Sequence, residues 1–249
     1  MTTGIWAAFV VFLCLVGSSL GAVALSRRLH VRYTDEQTHN VIRYVASVFV
    51  VMASLILSLM LNAAKNTYEN VDHNVHAYAT ELILLDRAMR HYGAETDALR
   101  DNLRQYLRRA MESSTPQTRA RSDGESEKLL NAIGDGLMAI QPGDAERRLL
   151  KQNAYEQFQR VLRLRWQLVE QSEGSTPAAF FAIVVLWLML IFASFGHRAP
   201  FNLAVVSSFT LASALIAGSI YLILDMNRPF EGPMQVSRQP FARVLADMP

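Results

Sequence analysis

Four long apolar stretches, two near each end of the chain, dominate the sequence pattern. They cover residues 5–25, 41–61, 178–195 and 203–224. A helix needs about 20 mainly apolar residues to cross the roughly 30 Å hydrocarbon layer of a bilayer, and each stretch is close to that length. The segments of each pair are joined by short connections. The pattern predicts an all-α membrane protein with four transmembrane helices arranged as two antiparallel hairpins.

Between the hairpins lies a segment that carries most of the charged residues. It is predicted to be a soluble helical bundle, and its first helix is expected to continue from the second membrane helix, because the sequence from 31 to 92 has neither Gly nor Pro. Apolar residues spaced three and four apart support this helix: Tyr68, Val71, Val75, Tyr78, Leu82, Leu85, Met89 and Tyr92. This heptad pattern has two interpretations, the core of the chain's own bundle or a contact between subunits.

Three more helices complete the predicted bundle. The second begins near Thr96, a polar loop covers residues 113–124, the third follows it, and Asp144 caps the fourth after the turn at Pro142 and Gly143. Their inner faces comprise Leu99, Leu103, Tyr106, Leu107 and Met111 in the second helix, Leu129, Leu130, Ile133, Leu137 and Ile140 in the third, and Leu150, Ala154, Phe158, Val161 and Leu168 in the fourth.

These elements define four predicted regions. The first hairpin covers residues 1–63, the bundle 64–175, the second hairpin 176–225, and a C-terminal tail 226–249. The third membrane helix has a suitable start, because Ser175 or Thr176 can cap it and Pro177 fits its first turn, and Gly196 is expected to end it.

Composition and motifs exclude several classes of function. The apolar fraction is 51% and the formal net charge is only +2, without the basic surface of a nucleic-acid-binding protein. Cys14 is the only cysteine, so the chain forms no intrachain disulfide. The Gly-x-Ser-x-Gly pattern from Gly17 to Gly21 lies inside an apolar helix instead of at a strand-to-helix turn, and no phosphate-binding or dinucleotide-binding motif is present. We therefore predict no enzyme activity and no cofactor.

Small residues in two membrane segments indicate where another helix approaches closely. Gly17 and Gly21 are four apart in the first segment, as are Ala214 and Gly218 in the fourth.

A weak metal-site pattern lies where the second membrane helix leaves the bilayer. Glu69, His73 and His76 share one helical face, and carboxylate with imidazole can bind zinc. A solvated polar face explains the same residues without a metal, so the prediction is that no metal is bound.

Polar residues in the second membrane segment form the most suggestive pattern. Ser47, Ser54, Ser58 and Asn62 are separated by seven, four and four residues and so lie on one side of the helix. Polar groups at this depth face protein or water. Hydrogen bonds between helices would explain them, and so would a pore lined by one such helix from each of several subunits. In the second case Val50, Val51 and Leu55 would supply an apolar constriction.

The distribution of arginine predicts the orientation in the membrane. Arg27, Arg28 and Arg32 follow the first segment and Arg198 follows the third. Short loops with Lys and Arg stay in the cytoplasm, so the termini and the bundle are predicted to be extracytoplasmic.

The end of the fourth segment resembles a known family. Leu224, Asp225, Met226, Asn227, Arg228, Pro229, Phe230, Glu231 and Gly232, followed by Val236 and Ser237, resemble the ending of the bestrophin-like family of bacterial integral membrane proteins, with a longer interval after Asp225. His39 and Asn40 resemble that family's His-Asn pair, and the two hairpins around a helical insert extend the likeness to nearly the whole chain.

The resemblance implies a multi-pass protein of the bacterial inner membrane that assembles as a homo-oligomer and conducts inorganic ions. Bestrophins are pentameric anion channels whose second membrane helices line the pore, which agrees with the polar stripe. They hold their helical domain in the cytosol, whereas the arginine distribution predicts the opposite side. The family ending would form a turn at the membrane surface or place a charge at the pore mouth. Its residues here are Asp225, Arg228, Pro229, Phe230 and Gly232. The alternative function is a membrane-anchored sensor or scaffold whose bundle binds a partner.

Overall fold

The computed structural model describes residues 2–28, 36–112, 116–172, 178–197, 199–230, 232–237 and 239–248. In these ranges every regular element is a helix. The α-helices are α1 (Thr2–Arg28), α2 (Glu36–Tyr92), α3 (Asp97–Glu112), α4 (Pro116–Ala139), α5 (Ala145–Ser172), α6 (Ala178–Gly196), α7 (Leu203–Met226) and α8 (Gln239–Asp247), with a 3₁₀ turn at Ala94–Thr96.

Four of these helices are long and apolar enough to cross a membrane. The candidate spans are Gly4–Ser26, Tyr44–Tyr92, Ala179–Gly196 and Leu203–Met226. The prediction of four membrane helices is therefore confirmed. The second of these helices is the longest, because α2 runs for 57 residues without a break. The capping residues predicted for α6, Ser175, Thr176 and Pro177, lie outside the described residues.

The chain divides into two compact units. The first comprises residues 1–69 and 174–235, and the second comprises residues 70–173 and 236–249. α2 contributes to both, and the chain returns to the second unit only after α7.

In the first unit, α1 packs against α6 and α7. The buried side of α1 includes Val11, Leu15, Ser19 and Val23, spaced four apart. Buried side chains of the other membrane helices complete this core: Ala53, Met60, Val184, Leu188, Ile191, Phe192, Ala217, Ile220 and Ile223.

The close approach between α1 and α6 uses different small residues from those predicted. The Ser18 Oγ donates a hydrogen bond to the carbonyl of Met189 at 2.6 Å. A Cβ on Gly196 would collide with the Ser19 carbonyl oxygen and lie 3.1 Å from the Ala22 side chain. At Gly17, Gly21 and Gly218, in contrast, a Cβ would meet no described atom of another helix within 4 Å. The residues of α1 that contact α6 are therefore Ser18, Ser19 and Ala22, which lie next to the predicted glycines in the sequence.

The second unit is a bundle with its own apolar core. Tyr78, Leu82, Leu85 and Met89 of α2 are buried in it, and Val71, Val75 and Tyr92 are also buried. The heptad pattern is thus part of the core of this chain. The other helices contribute Leu99, Leu103, Tyr106 and Leu107 from α3, Leu130, Ile133 and Leu137 from α4, and Ala154, Phe158 and Val161 from α5. Asp144 caps α5 as predicted, because its Oδ1 accepts a hydrogen bond from the Arg147 N–H at 2.7 Å.

The predicted loop at 113–124 is wrong for most of its length. α4 begins at Pro116, and residues 113–115 lie outside the described residues. The polar composition of these residues is typical of a loop, but it does not prevent a helix. Proline is tolerated in the first helical turn, and Gln117, Arg119 and Ala120 are good helix formers, so the helix extends beyond its apolar part.

The structure also contains a helix that the sequence pattern does not predict. α8 belongs to the second unit and lies against α3. Val244 is fully buried in the bundle core and Met248 is 7% exposed. The Phe241 ring makes an edge-on contact with the Tyr78 ring at 5.9 Å between centroids. α8 is therefore part of the bundle core.

Candidate functional site

The two sides of α2 differ in burial along the membrane segment. Ala46, Ala53, Met60 and Ala64 are buried, and their spacing of seven, seven and four places them on one side of the helix. The opposite side of α2 is left exposed in the isolated chain.

The polar stripe lies on this exposed side. Ser47, Ser54, Ser58 and Asn62 are all exposed, so the structure brings the four predicted residues to one surface. The Ser54 Oγ donates to the Val51 carbonyl of its own helix at 2.8 Å, which satisfies the hydroxyl without a second helix. A surface-exposed hydroxyl of this kind still offers oxygen lone pairs to a passing polar group.

Apolar side chains interrupt the stripe. Val51 is 59% exposed and Leu55 is 65% exposed, and both lie between Ser47 and Ser58 on the same side. Val50, the third predicted constriction residue, is exposed too. A surface that alternates hydroxyls with branched apolar groups can present both weak dipoles and a dry constriction to the axis of an assembly.

The second group of predicted residues forms a tight turn after α7. The Asp225 side chain is buried, and its Oδ2 accepts a hydrogen bond from the Met234 N–H at 3.0 Å. Gly232 has a φ of +91°, and a Cβ there would overlap the Asp225 Oδ1 and lie 2.9 Å from its Cγ. The Asp225 carboxylate therefore requires glycine at position 232, because a Cβ there would occupy its space.

The remaining residues of this turn lie between Asp225 and Gly232. The Arg228 N–H donates to the Asp225 carbonyl at 3.0 Å, and Pro229 is buried. Phe230 is half-buried and the Arg228 side chain is exposed. Fixed φ at proline and positive φ at glycine together reverse the chain within a few residues.

The candidate metal residues are not brought together. The Lys65 Nζ lies 3.3 Å from the Glu69 Oε1, and the His76 Nδ1 lies 3.6 Å from the Asp72 Oδ2. His73 is exposed. Among the described residues, no group of three or more His, Cys, Asp or Glu side chains could hold a metal ion.

Sequence reasoning missed a buried charge cluster in the bundle. The Asp86 side chain is only 3% exposed and accepts from the Arg100 Nε at 2.8 Å and the Arg90 Nη2 at 3.0 Å. Its hydrogen bond and charge raise the pKa of Arg100. The sequence contains one signal for this cluster. Asp86 directly follows Leu85 of the apolar heptad pattern, where an uncharged residue would be expected. The cluster joins α2 to α3.

Comparison with known proteins gives a consistent result. A family model described as bestrophin-like domain matches residues 12–241. The crystal structure of a bacterial bestrophin homologue from Klebsiella pneumoniae, which carries a mutation, has a similar fold. The TM-score is 0.58 at 12% sequence identity, over 96% of this chain and 97% of that one. No curated protein matches the sequence. Because the family model spans most of its length, this chain belongs to the bestrophin-like family.

Proposed function

We propose that the protein is an oligomeric ion channel of the bacterial inner membrane, with a pore lined by α2. The observation that carries this proposal is the exposure of Ser47, Ser54, Ser58 and Asn62 on the side of α2 opposite its buried residues. A polar surface on a membrane helix is costly against lipid, so it is expected to face water or a second copy of the chain.

Several copies of α2 around an axis satisfy this requirement. The polar side would face the axis, and the buried side would remain against α1, α6 and α7. Val51 and Leu55 would then form an apolar ring in which a pore can close by excluding water. Membership of the bestrophin-like family supports this arrangement, with five subunits as the expected number.

The turn after α7 is proposed to have a structural role. The carboxylate of Asp225 accepts the Met234 N–H and fills the space beside Gly232, so it is held inside the turn. This geometry favours a fixed exit from the membrane over a mobile charge at a pore mouth. We propose a non-enzymatic function, in keeping with the proposed channel.

The alternative, a membrane-anchored scaffold, is favoured by one observation. Met138 is 58% exposed and Leu149 is 69% exposed on the surface of the bundle, and such side chains can bind a partner protein. A monomeric or dimeric particle without a continuous aqueous path would support this function instead of the channel.

Ion flux from liposomes tests the proposed function directly. Purified protein is reconstituted, and chloride and potassium efflux are followed with ion-selective electrodes. We expect flux from the wild-type protein and at least a severalfold reduction in Ser54→Leu or Ser58→Leu. Ser219→Leu on α7 is the matched control, since Ser219 is also exposed and bonds its own helix at the Leu215 carbonyl. Absence of flux of both ions would contradict the proposal.

A further inference from the structure

The polar stripe is followed on the same side of α2 by a pair of opposite charges. Lys65 lies three residues after Asn62, the last residue of the stripe, and Glu69 lies four residues after Lys65. Spacings of three and four residues keep all of them on one side of a helix. Both charged side chains are exposed, and both residues belong to the first compact unit, as the stripe does. Within this unit, the side of α2 proposed to line the pore therefore ends with one positive and one negative charge.

The pair lies immediately beyond an uncharged stretch of the helix. From residue 44 to 64 the sequence has no Asp, Glu, Lys or Arg. With a rise of 1.5 Å per residue, Lys65 lies about 4.5 Å beyond Asn62 along the helix axis, and Glu69 lies about 6 Å beyond Lys65. An ion that leaves the stripe at this end would therefore pass Lys65 first and Glu69 about one turn later.

The two charges are close enough to compensate each other. The Lys65 Nζ lies 3.3 Å from the Glu69 Oε1. This distance is well below the Debye length of about 8 Å at physiological ionic strength. At larger distances the pair acts on an ion as a small dipole, because the attraction by one charge is nearly balanced by the repulsion from the other.

A role in helix stability explains little of this arrangement. Lysine precedes glutamate here, which is the less favourable order for a pair four residues apart in a helix. Each side chain is 59% exposed, and exposed ion pairs stabilise a fold only weakly. Replacement of either residue should therefore leave α2 intact, so an effect on ion passage can be measured separately from folding.

We propose that Lys65 and Glu69 together balance the charge preference of the pore at this end. This inference rests on the proposed channel function, since the pair faces permeating ions only if the stripe lines the pore. In an oligomer each subunit contributes one pair, so a ring of ammonium groups lies beside a ring of carboxylates. A lysine ring alone favours anions, and a carboxylate ring alone favours cations. With both rings present, neither residue alone sets the preference between small inorganic anions and cations.

Reversal potentials in a planar bilayer under a KCl gradient test this proposal. Glu69→Gln leaves Lys65 unpaired, and we expect the potential to move toward the chloride equilibrium potential, with a severalfold rise in the chloride-to-potassium permeability ratio. Lys65→Gln should move it toward the potassium equilibrium potential. The double variant Lys65→Gln, Glu69→Gln should return close to the wild-type value. Arg43, before the stripe, is present in every variant and so does not affect the comparison.

A second pair of variants tests whether the side of the helix matters. Asn62→Lys adds an unpaired positive charge on the stripe and should move the potential toward that of chloride. Ala63→Lys adds the same charge at the next residue, which is also exposed but lies about 100° away around the helix, and it should have a much smaller effect.

Three results would overturn the inference and leave the channel function intact. They are unchanged potentials in both single glutamine variants, a double variant as far from the wild type as either single one, and equal shifts from the two added lysines. A protein that conducts under no condition would overturn both the inference and the proposed function.

Discussion

At the residue scale, Gly232 and Asp225 show how a family motif becomes a structural requirement. Gly232 has a φ of +91°, and Gly93 at the end of α2 has a φ of +115°. Both backbones are in the region that favours glycine. They differ in their surroundings. A Cβ at Gly93 would meet no described atom within 4 Å apart from its chain neighbours, whereas a Cβ at Gly232 would overlap the Asp225 carboxylate.

We expect Gly232→Ala to destabilise the protein more than Gly93→Ala. Both variants carry the strain of positive φ, which costs on the order of 1 kcal/mol or more, and only Gly232→Ala also displaces the buried carboxylate. Thermal unfolding in detergent, followed by size-exclusion chromatography, measures the difference. Equal melting temperatures would show that the contact with Asp225 contributes nothing.

The Asp86 carboxylate leads to a second prediction at this scale. It is nearly fully buried against Arg100, whose side chain is 11% exposed, whereas Asp101 on α3 is 72% exposed in its pair with Arg104. Removing one partner of a buried ion pair costs about 3–5 kcal/mol, and an exposed pair contributes at most about 1 kcal/mol. Asp86→Asn should therefore lower the denaturation midpoint strongly and Asp101→Asn only slightly. Similar midpoints would contradict this assignment.

At the scale of elements, α2 was predictable and the start of α4 was not. The sequence from 31 to 92 contains no helix breaker, and its apolar spacing changes little where the membrane segment ends. These two features are enough to predict one long, unbroken helix. The first part of α4 has no apolar side to reveal its period. Local composition favoured a loop there, while the helix is stabilised by the packing of Leu130, Ile133 and Leu137 further along. α8 was missed because nine residues are too few for a clear period.

The contact between α2 and α3 includes a buried tyrosine pair with a predicted alkaline sensitivity. The hydroxyls of Tyr78 and Tyr106 lie 2.6 Å apart. Burial, followed by the proximity of Tyr106, raises the pKa of Tyr78 well above 10.0. Because the folded pKa exceeds the unfolded one, this contribution to stability is complete below about pH 10 and is lost as the pH rises further.

We expect the double variant Tyr78→Phe, Tyr106→Phe to reduce this loss. Replacing both partners leaves no unpaired hydroxyl and is expected to cost little at neutral pH. Melting temperatures from far-UV circular dichroism, measured between about pH 8 and about pH 11, would fall less steeply in the variant than in the wild type. Parallel curves would show that other groups cause the alkaline transition.

At the scale of the whole molecule, the helix content and the four membrane segments follow from hydropathy, whereas orientation depends on loop charges. Arg27, Arg28, Arg32 and Arg198 predict cytoplasmic short loops and an extracytoplasmic bundle. The packing of helices is the same for both orientations, so the fold does not decide between them. The polar stripe was also readable from spacing alone, but its exposure required the structure, because burial depends on which neighbours α2 meets.

Cysteine labelling measures the orientation. In a Cys14→Ser background, a membrane-impermeant maleimide should react on intact cells with Glu127→Cys, at an exposed position of α4. Pro200→Cys, exposed in the loop between α6 and α7, should react only after the membrane is opened. The reverse pattern would place the bundle in the cytosol, as in bestrophins.

The position of α8 has a consequence for biosynthesis. Chain segments are made in order, so α2 to α5 leave the ribosome before α6 and α7 enter the membrane. Residues 236–249, which belong to the same unit as those earlier helices, are made after α7. Until then the place of Val244 in the core is empty, and the apolar surface that it covers stays open to water. A ribosome that stalls within α7 would leave a membrane-inserted chain with an incomplete bundle, which is a substrate for quality-control proteases.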